Sequence, residues 1–351
     1  MRILLVKMSS MGDIFHTFPA ISDIKKKFPD AEIDWVVEDS FKEIVAWHPG
    51  VNKVIPVQLR LWAKERNKKH WQNFKRWRQA LRTQNYDYII DAQGLLKSAA
   101  IAKCAKGQGV DGYDKHSARE PITHWFYKRR HSIDKDQHAV QRTRQLVGKA
   151  LGYTPAKKLN FGINQNFTHI EENPRKLVFI IGTSWVTKLW STTEWQALGK
   201  IAIDAGYSIE IIWGSQEEQT IADNIISACP QATRPEQRLS ITRIAEKLVE
   251  AVGVVGLDTG FSHLAGALET PTIALYGATS PVKVGLIGEH TRNLQLQEPL
   301  DCMPCHKRHC KWLPENSHET PQCMSGIKAE AVWQALQEKL SAHATSDTHP
   351  H

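Results

Sequence analysis

Leu257-Asp258-Thr259-Gly260-Phe261-Ser262-His263 puts an acid, hydroxyls and an imidazole into one short run. It follows the apolar residues 252–255 and precedes Leu264-Ala265-Gly266-Ala267-Leu268, the layout of a strand, a tight turn and a helix start. Such a turn gathers free backbone N–H groups and the positive end of a helix dipole, where a phosphate can sit. A second cluster of the same kind stands near the N-terminus. There Arg2-Ile3-Leu4-Leu5-Val6 reads as a buried strand, and Lys7-Met8-Ser9-Ser10-Met11-Gly12-Asp13-Ile14-Phe15-His16-Thr17 follows it, leading into a helix over 19–28. The plain alternative is structural: Asp258 or Thr259 caps one helix, Asp13 caps the other, and the histidines pack locally. Neither loop has the G-x-G-x-x-G or G-x-x-x-x-G-K-[ST] spacing, which disfavours a dinucleotide oxidoreductase or a P-loop enzyme.

A β-loop-α unit that recurs late in the chain predicts an α/β protein of two Rossmann-like halves facing each other across a cleft. The first domain is expected over 1–153 and a polar connection with Pro155 and Pro174 over 154–175. The second is expected over 176–327, with strands at 177–181, 209–213, 252–257 and 272–276. A helix over 328–340 and a disordered tail over 341–351 complete the outline. With 351 residues and 41% hydrophobic content, each half can bury its own core. No stretch approaches the roughly 20 apolar residues that a bilayer-crossing helix needs, and Met1-Arg2 leads straight into a core strand rather than a signal segment. A cytoplasmic location is expected.

A formal net charge of +8 favours anionic partners. Lys64, Arg66, Lys68, Lys69, Lys75, Arg76 and Arg78 are interleaved with Trp62, Trp71, Phe74 and Trp77, which suits a lipid headgroup layer; the alternative is a solvated helix whose aromatic residues pack on the domain. No helix-turn-helix, RNA-recognition or zinc-finger pattern accompanies this patch, so nucleic acid is not an expected partner.

Lys7-Met8-Ser9-Ser10-Met11-Gly12-Asp13, Asp34-Trp35-Val36-Val37-Glu38, Asp91-Ala92-Gln93-Gly94-Leu95, Lys188-Leu189-Trp190 and Asp258-Thr259-Gly260-Phe261-Ser262-His263 stand in register over roughly residues 1–335. In these motifs the chain resembles the ADP-heptose lipopolysaccharide heptosyltransferases, glycosyltransferase family 9, and within them the type I members most. The resemblance implies a GT-B fold, with the last helix crossing back towards the first domain. It implies inverting transfer of L-glycero-D-manno-heptose from ADP-heptose to Kdo-lipid A, without a metal or other cofactor, by a monomer peripheral to the cytoplasmic face of the inner membrane.

In that pattern Asp13 is the base and Lys188 meets the leaving diphosphate, with Thr183, Ser184, Thr259 and Gly260 beside it. Glu218 would hold the ribose, Leu239 would lie near the adenine, and Asp258 and His263 would face the heptose or order the loop. The acceptor's carboxylate and phosphates call for basic residues in the first domain, and Arg60, Lys64, Arg119, His138 and Arg142 are the candidates, with Ser10 and Gly12 of the first loop beside the acceptor.

Cys302, Cys305, Cys310 and Cys323 form a cysteine-rich segment over 301–324 that is closer to the type II pattern. One C-x-x-C with irregular later spacing is a weak zinc signal, and no metal is expected there. The segment keeps open an acceptor other than unmodified Kdo, either a core heptose or a phosphorylated Kdo. A non-catalytic nucleotide- or lipopolysaccharide-binding protein is the alternative of a different class.

Overall fold

A computed structural model of the chain describes residues 1–64, 68–314 and 319–347, without the side chains of residues 60, 63, 64, 68–70, 346 and 347. It divides into two compact units, Met1–Ile163 and Asn164–His351. The boundary therefore falls inside the expected connection, whose last residues already belong to a strand.

The first unit is built on β1 (Arg2–Val6), β2 (Glu32–Glu38), β3 (Lys53–Val57), β4 (Tyr88–Asp91), β5 (Val110–Tyr113) and β6 (Arg129–His131). They are ordered β3-β2-β1-β4-β5-β6 with every pairing parallel. The second unit repeats the plan with β7 (Asn173–Ile180), β8 (Ser208–Ile212), β9 (Ala232–Thr233), β10 (Ala251–Leu257), β11 (Thr272–Leu275) and β12 (Thr291–Leu294). Its order is β9-β8-β7-β10-β11-β12, again all parallel. Helices on both faces explain why Ile3, Leu4, Leu5 and Val6 form an unbroken apolar run: all four are fully buried. In each unit the strand order reverses beside the first strand, between β1 and β4 and between β7 and β10. Loops leaving those carboxyl ends diverge and open a crevice for ligands.

Helices α1 (Met11–Phe15) and α2 (Phe18–Lys27) follow β1, α3 (Lys68–Leu81) follows β3, α4 (Leu96–Ala102) follows β4 and α5 (Ala139–Leu151) follows β6. The second unit adds α6 (Thr192–Asp204), α7 (Gln216–Ala228), α8 (Ile241–Glu250), α9 (Gly260–Ala267) and α10 (Ala329–Asp347). Disorder was expected from residue 341, but α10 runs on to Asp347; residues 348–351 lie outside the description. Its amphipathic face covers α6 and strands β10 to β12 of its own unit, burying Val332 and Leu336 completely. The Trp190 indole donates to the Ile327 carbonyl at 2.9 Å and Lys328 pairs with Glu194 at 2.8 Å, fixing where α10 begins.

The aromatic residues of the basic stretch mostly turn inward. Trp62, Phe74 and Trp77 pack on the core of the first unit and the Trp77 indole donates to Pro56 O, whereas Trp71 stays 59% exposed. The packing alternative thus describes three of the four.

Arg144 follows Arg142 by two residues, yet it is 1% exposed. Its Nε and Nη2 donate to the two carboxylate oxygens of Asp23 on α2, at 2.6 and 3.0 Å, and Ala156 O takes a further bond. Removing one member strands a buried charge, which costs about 3–5 kcal/mol, while replacing both is far milder. Urea unfolding of Arg144→Met should therefore show a loss of about that size, most of it recovered in Arg144→Met with Asp23→Leu; equal losses in single and double variants would contradict this account.

Candidate active site

The switch point of the first unit is lined by the loop after β1. Gln93, from the loop after β4, accepts the Met8 and Ser9 N–H groups at 2.7 and 3.3 Å and donates back to Ser9 O at 2.5 Å. That loop is shaped in turn by Asp91, which is fully buried. Its Oδ1 accepts the N–H groups of Gln93 and Gly94, and its Oδ2 accepts the Ser98 and Tyr127 hydroxyls. Burial pushes the Asp91 carboxyl upward against those donors. Gly94 has φ +69°, and a Cβ there would also lie 3.1 Å from the Tyr113 ring.

Asp13 stands at the third position of α1. Its Oδ2 accepts both the N–H and the hydroxyl of Ser10 at 2.9 Å, and its Oδ1 pairs with Lys7 Nζ at 3.2 Å. Lys7 is nearly buried and also donates to Ala92 O at 3.3 Å. Burial alone raises the Asp13 carboxyl. The Lys7 ammonium, the Ser10 N–H and His16 outweigh it and hold the group well below the usual carboxylate range. Asp13 does take part in a capping box, as the plain alternative had it, yet its side chain keeps 30% exposure and remains reachable.

The predicted acceptor residues divide. Ser10 and Gly12 belong to the Asp13 loop. His138 caps α5, with Nδ1 accepting Val140 N–H, and its ring stands edge-on to His16 at 5.4 Å. Arg142 lies 5.2 Å over the Tyr113 ring, with Nη2 donating to Ser117 O at 2.6 Å. Arg119 is exposed, and its backbone borders Gly94. The side chains of Arg60 and Lys64 lie outside the described residues.

In the second unit Lys188 ends the short turn Val186–Lys188 and reaches Asp258 at the end of β10, Nζ to Oδ2 2.6 Å. Thr279 donates to the same oxygen, His263 Nε2 lies 3.7 Å from Oδ1, and Thr183 donates to Asp258 O at 3.4 Å. Burial raises the Asp258 carboxyl, but the His263 contact and the Lys188 charge outweigh it, and it too sits well below the usual range. Neither Asp258 nor Thr259 caps α9 through its side chain: Thr259 occupies the N-cap with no side-chain bond, which leaves the first N–H groups of α9 to a ligand. Ser262 is structural, fully buried and donating to Leu257 O at 2.6 Å.

Glu218, in the first turn of α7, accepts Gly214 N–H at 2.6 Å and lies so close to Gly182 that a Cβ there would come within 2.2 Å of its carboxylate. Gly182 precedes Thr183, so Glu218 flanks the same loop. Ser184 is exposed on that loop, and Leu239 is half-buried in the connection between β9 and α8.

Sequence reasoning missed Lys7, Gln93 and Trp185. The Lys188 ammonium lies 4.5 Å from the centre of the Trp185 ring. Also overlooked was an Asp-x-Asp pair, the spacing typical of metal-dependent glycosyltransferases, at Asp134-Lys135-Asp136. Both carboxylates are exposed ahead of α5, where Asp134 Oδ1 accepts Asp136 N–H at 2.9 Å. The four cysteines of the 301–324 segment all line one cavity of about 460 Å³, together with Thr187, Gly277 and Ala278. Among the described residues no three His, Cys, Asp or Glu side chains are grouped to hold a metal ion.

The family model for glycosyltransferase family 9 (heptosyltransferase) matches residues 74–315. The chain is 38% identical to lipopolysaccharide heptosyltransferase 1 of Pseudomonas aeruginosa, over 98% of this chain and 99% of that protein. Among solved structures it is similar to the E. coli heptosyltransferase WaaC with ADP, with a TM-score of 0.84, 36% identity and coverage of 97% and 100% of the two chains. The WaaC structure with ADP-2-deoxy-2-fluoro heptose gives a TM-score of 0.82 at 36% identity, covering 96% and 99%.

The Lys188–Asp258 pair is testable on its own. Asp258→Asn leaves a mostly buried ammonium without its partner and should cost about 3 kcal/mol at pH 7, part of which Lys188→Met in the same chain restores. The folded carboxyl titrates below its unfolded value, so its contribution is full above about pH 4 and is lost as pH falls towards the folded pKa. Urea unfolding of parent and Asp258→Asn should accordingly differ less at pH 3.5 than at pH 7; an unchanged gap would refute the assignment.

Proposed function

The chain belongs to glycosyltransferase family 9, the heptosyltransferases, and from that premise we propose that it transfers L-glycero-D-manno-heptose from ADP-heptose to the Kdo of lipid A, the heptosyltransferase I reaction of lipopolysaccharide inner-core assembly. The observation that carries this reading is the cluster at the second switch point, where Lys188, Asp258 and the open start of α9 offer a diphosphate a cation and backbone donors together. The acceptor hydroxyl attacks C1 of the heptose from the face opposite the diphosphate. Its proton passes to Asp13, the bond from C1 to the phosphate oxygen breaks, and ADP leaves with the bonding pair.

Ser10 fixes one carboxylate oxygen of Asp13 and Lys7 pairs with the other, so the group is ionised at neutral pH. A carboxylate held this low is a weak base. It takes the proton late, once bonding to C1 has acidified the hydroxyl. Asp258 aims the Lys188 ammonium at the leaving group, and Thr183, Ser184 and the N–H groups of Thr259 and Gly260 add donors. Glu218, an acceptor-only carboxylate beside Gly182, suits the ribose hydroxyls, with Leu239 near the base and His263 towards the sugar. With charge supplied in this way the reaction needs no divalent ion. Arg119 and Arg142 supply the cations for the Kdo carboxylate and its neighbouring phosphates, and His138 offers a hydrogen-bonding ring.

Among the described residues no helix is long and apolar enough to cross a membrane. The acceptor sits in a lipid surface, and we read the enzyme as peripheral on the cytoplasmic face of the inner membrane. Trp125 and Ile122, on the turn Pro121–Phe126, are 74% and 57% exposed, and that turn packs on α4, whose first residue Leu96 is also exposed. Apolar side chains next to Arg119 suit a bilayer boundary. A second reading, in which the acceptor is a core heptose or a phosphorylated Kdo, draws on the cysteine-rich segment.

ADP release with ADP-heptose and Kdo-lipid A should persist in EDTA and fall about 10²–10⁴-fold in Asp13→Asn. Activity on a heptosylated core alone would favour the second reading, and loss of turnover in EDTA would end the metal-free mechanism. Ile122→Ser with Trp125→Ser should slow transfer to acceptor embedded in vesicles while leaving detergent-dispersed acceptor unaffected; equal losses on both would count against the membrane contact.

A further inference from the structure

The cysteine-rich segment is fastened to both loops that carry the donor cluster. Thr187 Oγ1 donates to Lys307 O at 2.6 Å, beside Lys188, and His306 N–H donates to Ala278 O at 2.8 Å, beside Thr279. At its far end Cys323 and Met324 press so closely on Gly277 that a Cβ there would lie 2.9 Å and 2.7 Å from their sulfur atoms. Between these anchors the segment presents Arg308. Its guanidinium carbon lies 5.5 Å from the centre of the Trp185 ring, the same ring that holds the Lys188 ammonium at 4.5 Å.

We propose that Arg308 is a second cation of the donor site, binding the terminal phosphate of the nucleoside diphosphate beside Lys188. The proposal rests on the donor reading above and adds to it a residue delivered by the cysteine-rich segment. One indole gathering two cations is attractive to each of them, but the cations repel one another. Asp258 neutralises only Lys188. Among the described residues no carboxylate pairs with Arg308, whose side chain is exposed. An anion between the two relieves that repulsion. The guanidinium fork can take two phosphate oxygens where the ammonium takes one, so the pair divides the work: Lys188 as a point charge and Arg308 as a planar clamp.

A ligand that lacks the terminal phosphate should not sense Arg308. Calorimetric titration of the full chain with ADP and, separately, with AMP tests this directly. Arg308→Ala is expected to weaken ADP about tenfold and to change AMP less than about twofold, with Arg308→Lys recovering part of the ADP affinity. Equal effects on the two nucleotides, or no effect on either, would overturn the role of Arg308 while leaving the donor site standing. A parent chain that bound neither ADP nor AMP would instead overturn the donor reading and this proposal with it.

Discussion

A lysine held against an ionised aspartate, at the point where a parallel sheet reverses its strand order, is the interaction on which both halves of this protein depend. Lys7–Asp13 serves the first unit and Lys188–Asp258 the second. In both, burial alone favours a protonated, neutral acid, and the neighbouring ammonium with its added hydrogen bonds reverses that preference. The two pairs then do different things. Asp13 keeps part of its surface open and can receive a proton. Asp258 is almost enclosed and pairs with Lys188 at 2.6 Å.

The surrounding structure reads as support for those pairs. Gln93 clamps the loop that carries Ser10, Asp91 clamps the loop that carries Gln93, and Gly94 supplies the positive-φ turn that follows Gln93. In the second unit Glu218 closes on Gly182 and the Trp185 ring lies against Lys188 within the loop after β7, while the Thr279 hydroxyl holds Asp258 at the end of β10. Rigid placement of this kind is what transfer by charge and position requires, because little covalent chemistry falls to the protein itself.

Much of this was legible in the sequence. Apolar runs ending in Gly- and hydroxyl-rich turns predicted the β-loop-α units, and the resemblance selected Asp13, Lys188 and Asp258. What escaped was long-range. Lys7 appears in sequence as one cation of a motif, and only the return of β4 alongside β1 places Ala92 and Gln93 around it. Nothing near Arg144 in sequence announces its partner on α2, Asp23. The Trp-rich stretch was ambiguous for the same reason: a helical period shows that one face is apolar but not what covers it. The tail was misjudged because nothing in sequence announces a partner for it, whereas His343 is half-buried, with its ring 4.6 Å from that of His290 and its Nε2 3.8 Å from Glu172.

The contribution of α10 to the second core also orders the protein's synthesis. The first unit has all its strands and helices by residue 163, so it can close its core while the rest of the chain is still being made. The second unit opens with β7 yet needs Val332, Leu336 and Leu340 to cover that sheet, and a growing chain reaches them only after the cysteine-rich segment has emerged. Until then its parallel strands carry an uncovered apolar face. The second unit is accordingly the one that keeps an apolar face open for longer during synthesis.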